Sequence, residues 1–326
     1  MPHAPIACIG NAIVDVIAPA TDEFLTANNL VKGSMTLIDT AQAEALYAKM
    51  QPGREISGGS GANTAAGIAA LGVGVRYVGR VADDQLGNVF QHDIRAGGVF
   101  YDTPMSSAGT PTARCLILVT PDGERTMHTF LGTSVDLGEA DVDFEAAAAA
   151  DLLYLEGYLW DSDSARPAME RARDLSRAAG KRTAFTLSDG FCVDRHRDSF
   201  RELAGGGVDI IFANEDELKS LYETDDFAAA LDAQRGKVQI AAITRSDKGS
   251  VILAGDETIE VPAKAVASVV DTTGAGDLFA SGFLAGLQQD RSLTDCARLG
   301  AMAAAEVISH YGARPEADLK ALAAKL

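Results

Sequence analysis

The sequence predicts an α/β fold: a mostly parallel central sheet covered by helices on both faces, with a small β-rich lid. Two observations carry this. From residue 151 to about 244, short apolar runs alternate with stretches rich in Ala, Leu, Glu and Arg, joined by short connections. That is the pattern of βαβ crossovers in a parallel sheet. Two segments, 13–38 and 100–131, break the rhythm and read as strand-rich, so two insertions form the lid. The core is then 1–12, 39–99 and 132–326.

The elements follow in order. Residues 6–9 are a fully apolar run, as expected of a strand buried on both faces. Residues 13–38 show ragged alternation and turn residues, with no long helix. Helix-like stretches at 41–50, 63–71 and 85–96 flank an apolar run at 75–81. In the second insertion, strands at 112–120 and 124–130 flank Pro121-Asp122-Gly123, a hairpin turn in which Gly supplies the positive φ. Strands at 152–155, 183–187, 208–213 and 238–244 then alternate with helices at 164–179, 216–222 and 227–235. Phe279, Phe283 and Leu287 mark a last helix by their spacing.

Charge and composition remove several classes of function. Lys and Arg number 28 against 46 Asp and Glu, a net charge of −18, which argues against nucleic acid and anionic membranes as partners. A small anionic ligand stays open, because backbone N–H groups bind phosphate without net positive charge. No run of 18 apolar residues offers a membrane span, and the opening Met1-Pro-His-Ala-Pro-Ile lacks the basic start of a secretory leader. Cys8, Cys115, Cys192 and Cys296 lie far apart, so neither a disulfide framework nor a zinc site is expected. A reducing cytoplasm fits, with a small-molecule ligand and a monomer or homodimer.

Four stretches stand where a strand hands over to a helix or loop, the place where such sheets bind ligands. Asp271-Thr-Thr-Gly-Ala-Gly-Asp277 opens the last helix. Gly274, Ala275 and Gly276 carry almost no side chain, so an anion can approach their N–H groups at a helix N-terminus. Asp277 beside them is either a base that takes a proton from a hydroxyl attacking phosphorus, or a helix N-cap. Ser57-Gly-Gly-Ser-Gly-Ala-Asn63-Thr-Ala-Ala-Gly67 lets a ligand touch backbone at Gly59 and offers it the Asn63 amide, or else serves close helix packing. Thr64 stands where a dinucleotide fingerprint needs its third Gly, which excludes a dinucleotide oxidoreductase. Asn214-Glu-Asp-Glu217 suits a magnesium ion held through water, or a capping box. Asn11 and Asp15, just after the first strand, face a polyhydroxyl ligand or lie in a plain turn.

Taken in order, Gly58-Gly-Ser-Gly-Ala-Asn63-Thr-Ala, Asn214-Glu-Asp-Glu217 and Asp271-Thr-Thr-Gly-Ala-Gly-Asp277 resemble the signatures of the ribokinase (PfkB) family of sugar and nucleoside kinases, over about residues 6 to 315. The resemblance implies a ribokinase-like three-layer α/β/α fold with a β lid, ATP as donor, Mg2+ as cofactor, and transfer of the γ-phosphoryl group to a primary hydroxyl. It implies Asp277 as the base, Gly274, Ala275 and Gly276 as the anion hole, and Asn214 and Glu217 as organisers of hydrated magnesium. Asp15, Gly59 and Asn63 match positions that hold acceptor hydroxyls. Asp271 and Thr273 match a monovalent-cation loop, which makes K+ a candidate cofactor. Thr244 and Gly249 match the ATP-side loop Thr-x-Gly-x-x-Gly, with Ser246 in place of its first Gly.

Within the family the likeness leans to adenosine kinases. The segment 183–191 lacks the Asp-x-Asn-x-Arg pattern of sugar kinases, and Leu155-Glu-Gly-Tyr158-Leu-Trp160 is similar to an aromatic stretch beside the base. Gly10-Asn11 with Asp15, and Tyr311-Gly-Ala-Arg-Pro315, lean the same way. The expected activity is adenosine to AMP, with Tyr158 and Trp160 either beside the base or in the core. A ribose, fructose or 2-keto-3-deoxygluconate kinase is the alternative, and a non-catalytic binding regulator a distant one.

Overall fold

The computed structural model describes residues 4–326. Residues 1–3, which begin both the expected 1–12 core piece and the segment read as lacking a leader, lie outside the described residues. The strands are β1 (Ile6–Ile9), β2 (Ile13–Pro19), β3 (Met35–Leu37), β4 (Arg54–Gly58), β5 (Val75–Val78), β6 (Phe100–Tyr101), β7 (Ala113–Val119), β8 (Arg125–Phe130), β9 (Leu152–Glu156), β10 (Arg182–Thr186), β11 (Ile210–Asn214), β12 (Ile240–Thr244), β13 (Ser250–Ala254) and β14 (Glu257–Val261). Nine of them form one sheet in the order β14-β13-β12-β11-β10-β9-β1-β5-β6. From β12 to β6 the pairing is parallel, and β13 and β14 fold back antiparallel at one edge.

Parallel neighbours need long crossovers, and helices supply them. Ala165–Ala178 joins β9 to β10, Gly190–Glu202 joins β10 to β11, and Glu215–Tyr222 with Phe227–Gln234 joins β11 to β12. Along helix Ala165–Ala178 the buried positions are Ala165, Ala168, Met169, Ala172 and Ser176, one face at helical spacing. Successive strand residues feed opposite layers. Ile6, Cys8, Tyr154, Ala184 and Phe212 pack with helices Ser60–Ala70 and Ala275–Gln288, while Ala7, Ile9, Leu153, Leu155 and Phe185 pack on the other face. Both faces are apolar, which is why these strands read as unbroken hydrophobic runs.

The second sheet runs β3-β8-β7-β2-β4 and contains the expected hairpin, β7 antiparallel to β8 across residues 120–124. Two strands change places relative to the sequence expectation. β4 leaves the core segment and pairs antiparallel with β2, a pairing between distant residues that no local pattern reveals. β6, expected in the lid, pairs with β5 in the large sheet, where Tyr101 packs on Tyr77 and Phe90. Helix Gly190–Glu202 was also not anticipated. It is kinked at His196 and buries only Cys192, Val193 and Phe200, too few apolar positions for a clear period. Among the described residues no helix is long and apolar enough to cross a membrane.

Candidate active site

A cavity of about 720 Å3 opens at the carboxyl ends of the parallel strands. Asn11 after β1, Glu156 at the end of β9, Asn214 at the end of β11 and Thr244 at the end of β12 line it from the large sheet. Met35, Leu37, Met127 and Thr129 line it from the second sheet. Two helix N-termini, of Ser60–Ala70 and Ala275–Gln288, also reach this space.

Asp277 joins those two helix starts. It is not the N-cap. That position belongs to Gly274, at φ +79°, where a Cβ would come within 2.6 Å of the Ala313 methyl. Asp277 instead lies in the first helical turn, where Ser60 Oγ donates to Oδ1 (2.6 Å) and Asn63 Nδ2 to Oδ2 (2.9 Å). Burial pushes its carboxyl above the usual range, against the pull of the Ser60 and Asn63 hydrogen bonds and of the Arg314 charge. The Ala275 N–H donates to Thr272 O within the turn (3.2 Å). Gly274 has no side chain to cap the helix, and the N–H groups of Gly274, Gly276 and Asp277 have no protein partner among the described residues, which leaves them for an anion.

Polar atoms without protein partners mark where a hydroxylated ligand fits. The Oδ1 of Asn63 is buried with no hydrogen-bond partner among the described residues. Asp15 is 8% exposed and its carboxylate accepts no hydrogen bond among the described residues. Burial pushes it up to about 6, although the Arg314 and Arg125 charges pull the other way. Asn11 differs. Its Nδ2 donates to Glu156 (2.8 Å) and its Oδ1 accepts from Ser134 Oγ (3.0 Å), so both polar atoms of this cavity-lining side chain already have protein partners. Gly59, at φ +93°, has the Asn11 carbonyl 2.2 Å from where a Cβ would sit, a close approach only Gly allows.

Glu156 is the site residue the sequence reading passed over. It is 1% exposed, and it accepts from the N–H groups of Asn11 (3.2 Å) and Gly61 (2.6 Å). It thereby caps helix Ser60–Ala70, whose N-cap Gly59 has no side chain for the task. Burial pushes its carboxyl up to about 7, opposed by those hydrogen bonds. A carboxyl raised from 4.5 in the unfolded chain to about 7 in the fold binds its proton more tightly when folded. The stability this confers is fully present below pH 4.5 and lost as pH rises through about 7. In urea titrations across that window, wild type should lose up to roughly 3 kcal/mol relative to Glu156→Gln. Equal slopes for the two proteins would refute the assignment.

On the far wall, Asn214 and Glu217 form the capping box. Asn214 Oδ1 accepts from the Glu217 N–H (2.8 Å), and the Glu217 carboxylate accepts from the Asn214 N–H (2.9 Å) and Nδ2 (2.6 Å). Both residues also line the cavity, and burial pushes Glu217 up to about 7. Among the described residues no three His, Cys, Asp or Glu converge on a metal position. A magnesium ion held mostly through water and substrate phosphates needs only one or two carboxylates, so Glu217 fits it. Thr244 lines the cavity, whereas Gly249 sits in the turn beyond it, its carbonyl accepting from Arg245 N–H (2.7 Å), and does not.

A further expectation is corrected. Trp160 is core: its ring meets Phe185 (5.5 Å) and Phe200 (6.2 Å) edge-on under the helices, away from the cavity. Only Tyr158 of the pair reaches the cavity wall, because the chain turns as a short 3-10 helix at Gly157–Asp161 and points the two rings apart. Phe191, Met35 and Leu37 join it there, exposed apolar side chains of a kind no periodicity flags. In the loop expected to hold a monovalent cation, the guanidinium of Arg125 pairs with both Asp271 and Thr273.

The pfkB family carbohydrate kinase profile matches residues 5–319. The chain belongs to the pfkB family of carbohydrate kinases. A probable sugar kinase from Rhizobium etli shares 50% identity and superposes with a TM-score of 0.92, covering 100% of this chain and 99% of that one. An adenosine kinase from Sinorhizobium meliloti shares 49% identity at a TM-score of 0.92, over 99% of each chain. The adenosine kinase of Saccharomyces cerevisiae is 26% identical over 333 residues, 95% of this chain and 96% of its own. The fold is therefore ribokinase-like, as the motifs implied, and the protein is a kinase of this family.

Proposed function

We propose that this kinase transfers the γ-phosphoryl group of ATP to the primary hydroxyl of a nucleoside, adenosine, giving AMP. One juxtaposition carries the reading. The Asp15 carboxylate and Asn63 Oδ1, which accept no hydrogen bond among the described residues, face the same cavity as Tyr158, Phe191, Met35 and Leu37. Ribose hydroxyls need the first pair, and a purine needs an apolar wall such as the second group. The likeness to the Sinorhizobium meliloti adenosine kinase over the whole chain supports it. A sugar acceptor is the second reading, favoured by the likeness to the Rhizobium etli probable sugar kinase.

In this reading Asp277 accepts the hydroxyl proton as the hydroxyl oxygen attacks phosphorus. A raised pKa suits a base that must hold a proton transiently near neutral pH. Ser60 and Asn63 fix its carboxylate plane, and the Gly276 and Asp277 N–H groups face the transferred charge. The cavity wall carries Asp15, Glu156, Asp161, Asp189, Glu217 and Asp277 against a single basic side chain among the described lining residues, Arg195. Polyphosphate would be repelled there without counter-charge, which Mg2+ supplies when bound; Glu217, with Asn214, would hold its waters.

Two results test this. Glu217→Gln should raise the Mg2+ concentration for half-maximal activity severalfold, since a charged organiser becomes neutral. Unchanged metal dependence with only a lower Tm would leave Glu217 as a helix cap. Tyr158→Ala should lower kcat/KM for adenosine about tenfold, the value of one base–aromatic stack, while sparing any activity on free ribose. Equal losses on both acceptors would remove Tyr158 from the base site.

A further inference from the structure

The loop leading into the anion-facing turn carries its own cation. Asp271 has a side chain only 3% exposed, and Arg125, from β8 of the second sheet, has one only 9% exposed. They are 146 residues apart in sequence. Arg125 Nη1 donates to Asp271 Oδ2 and to Thr273 Oγ1 (2.8 Å). Backbone supplies further donors to Asp271: Thr273 N–H donates to Oδ1 (3.0 Å) and Gly312 N–H to Oδ2 (2.9 Å). Both oxygens thus have protein donors, and the counter-charge is a guanidinium that cannot lose its proton. A monovalent ion on these oxygens would meet a like charge at contact distance. Arg125 holds this place although its Nε and Nη2 are buried without partners among the described residues, an arrangement that is unfavourable unless the Asp271 pairing offsets it.

We propose that Arg125 is a positioning residue that serves as the resident cation of the 271–277 turn, so that this turn is organised without a monovalent metal ion and is tied to the second sheet. The inference rests on the phosphoryl-transfer reading only for its consequence in catalysis. Its test therefore uses readouts that need no acceptor. The full chain is compared in KCl and in tetramethylammonium chloride at equal ionic strength. The Tm without ligand and the calorimetric affinity for a non-hydrolysable MgATP analogue are measured. Wild type should give the same Tm in both salts and affinities within about twofold. Arg125→Met should bind the analogue about tenfold more weakly in tetramethylammonium, with much of the loss and a lowered Tm restored by K+. Arg125→Lys, which keeps a charge and guards against misfolding of the Met variant, should stay indifferent to K+. A wild type that needs K+ for either readout overturns the proposal. So does an Arg125→Met protein matching wild type in both salts, or an Arg125→Lys protein stimulated by K+. Failure of adenosine as an acceptor would change none of these readouts.

Discussion

Asp277→Asn should lower kcat by roughly 10²–10⁴, the usual contribution of a positioned general base, while acceptor KM changes little. The amide keeps the size of the carboxylate and its oxygen still accepts from Ser60, which holds the two helix starts together, while the hydrogen bond from Asn63 Nδ2 to the second oxygen is lost. It cannot take the hydroxyl proton. The fold should not suffer, because burial already disfavours the charged carboxylate and the amide carries no charge to desolvate. A Tm at or above that of wild type, with kcat collapsed, is the expected pair of results. Near-full turnover would show that proton removal happens elsewhere.

Asp15→Ala should act on binding instead. Asp15 is a buried carboxylate with no hydrogen-bond partner among the described residues, held above its usual range. A ligand diol supplies the missing donors, and a hydrogen bond to a charged group contributes about 1.5–3 kcal/mol. Losing one or two of them should raise acceptor KM about 10²-fold, with kcat much less affected. The apo protein should become more stable, since a strained charge is removed. The pH sign is set as well. Protonation below about 6 takes away an acceptor, so wild-type acceptor KM should rise as pH falls through about 6, and the Ala variant should not follow. A variant that keeps wild-type KM, or loses stability alone, would make Asp15 a structural residue.

The parts of this account legible in sequence are those governed by local pattern. Strands buried on both faces leave apolar runs, so β1, β9, β10, β11 and β12 were visible. Asp277 and Asn63 stood out because glycine turns precede them at helix starts. What stayed hidden depends on partners far along the chain. β4 reads as nothing in particular until β2 lies beside it. Glu156 ends an apolar run like many strand-terminal acids, and only the approach of Gly61 makes it the cap of another helix. Arg125 is an ordinary β-hairpin residue until the fold lays it on Asp271. Tyr158 and Trp160 look equivalent two residues apart, and the tight turn at Gly157–Asp161 alone decides which reaches the cavity. Glu217 shows that a helix cap and a cavity-lining acid share one sequence signature, since its capping hydrogen bonds and its place on the cavity wall coexist.

The central claim is that the cavity accepts a nucleoside and phosphorylates it. The direct measurement is a competition: wild-type protein, γ-32P-labelled ATP with Mg2+, and equal concentrations of adenosine and ribose below saturation. Base stacking on the Tyr158 wall should give adenosine about a tenfold or greater advantage in kcat/KM, so label should accumulate in AMP. Label appearing chiefly in ribose phosphate would contradict the nucleoside reading and move the protein among the sugar kinases of its family.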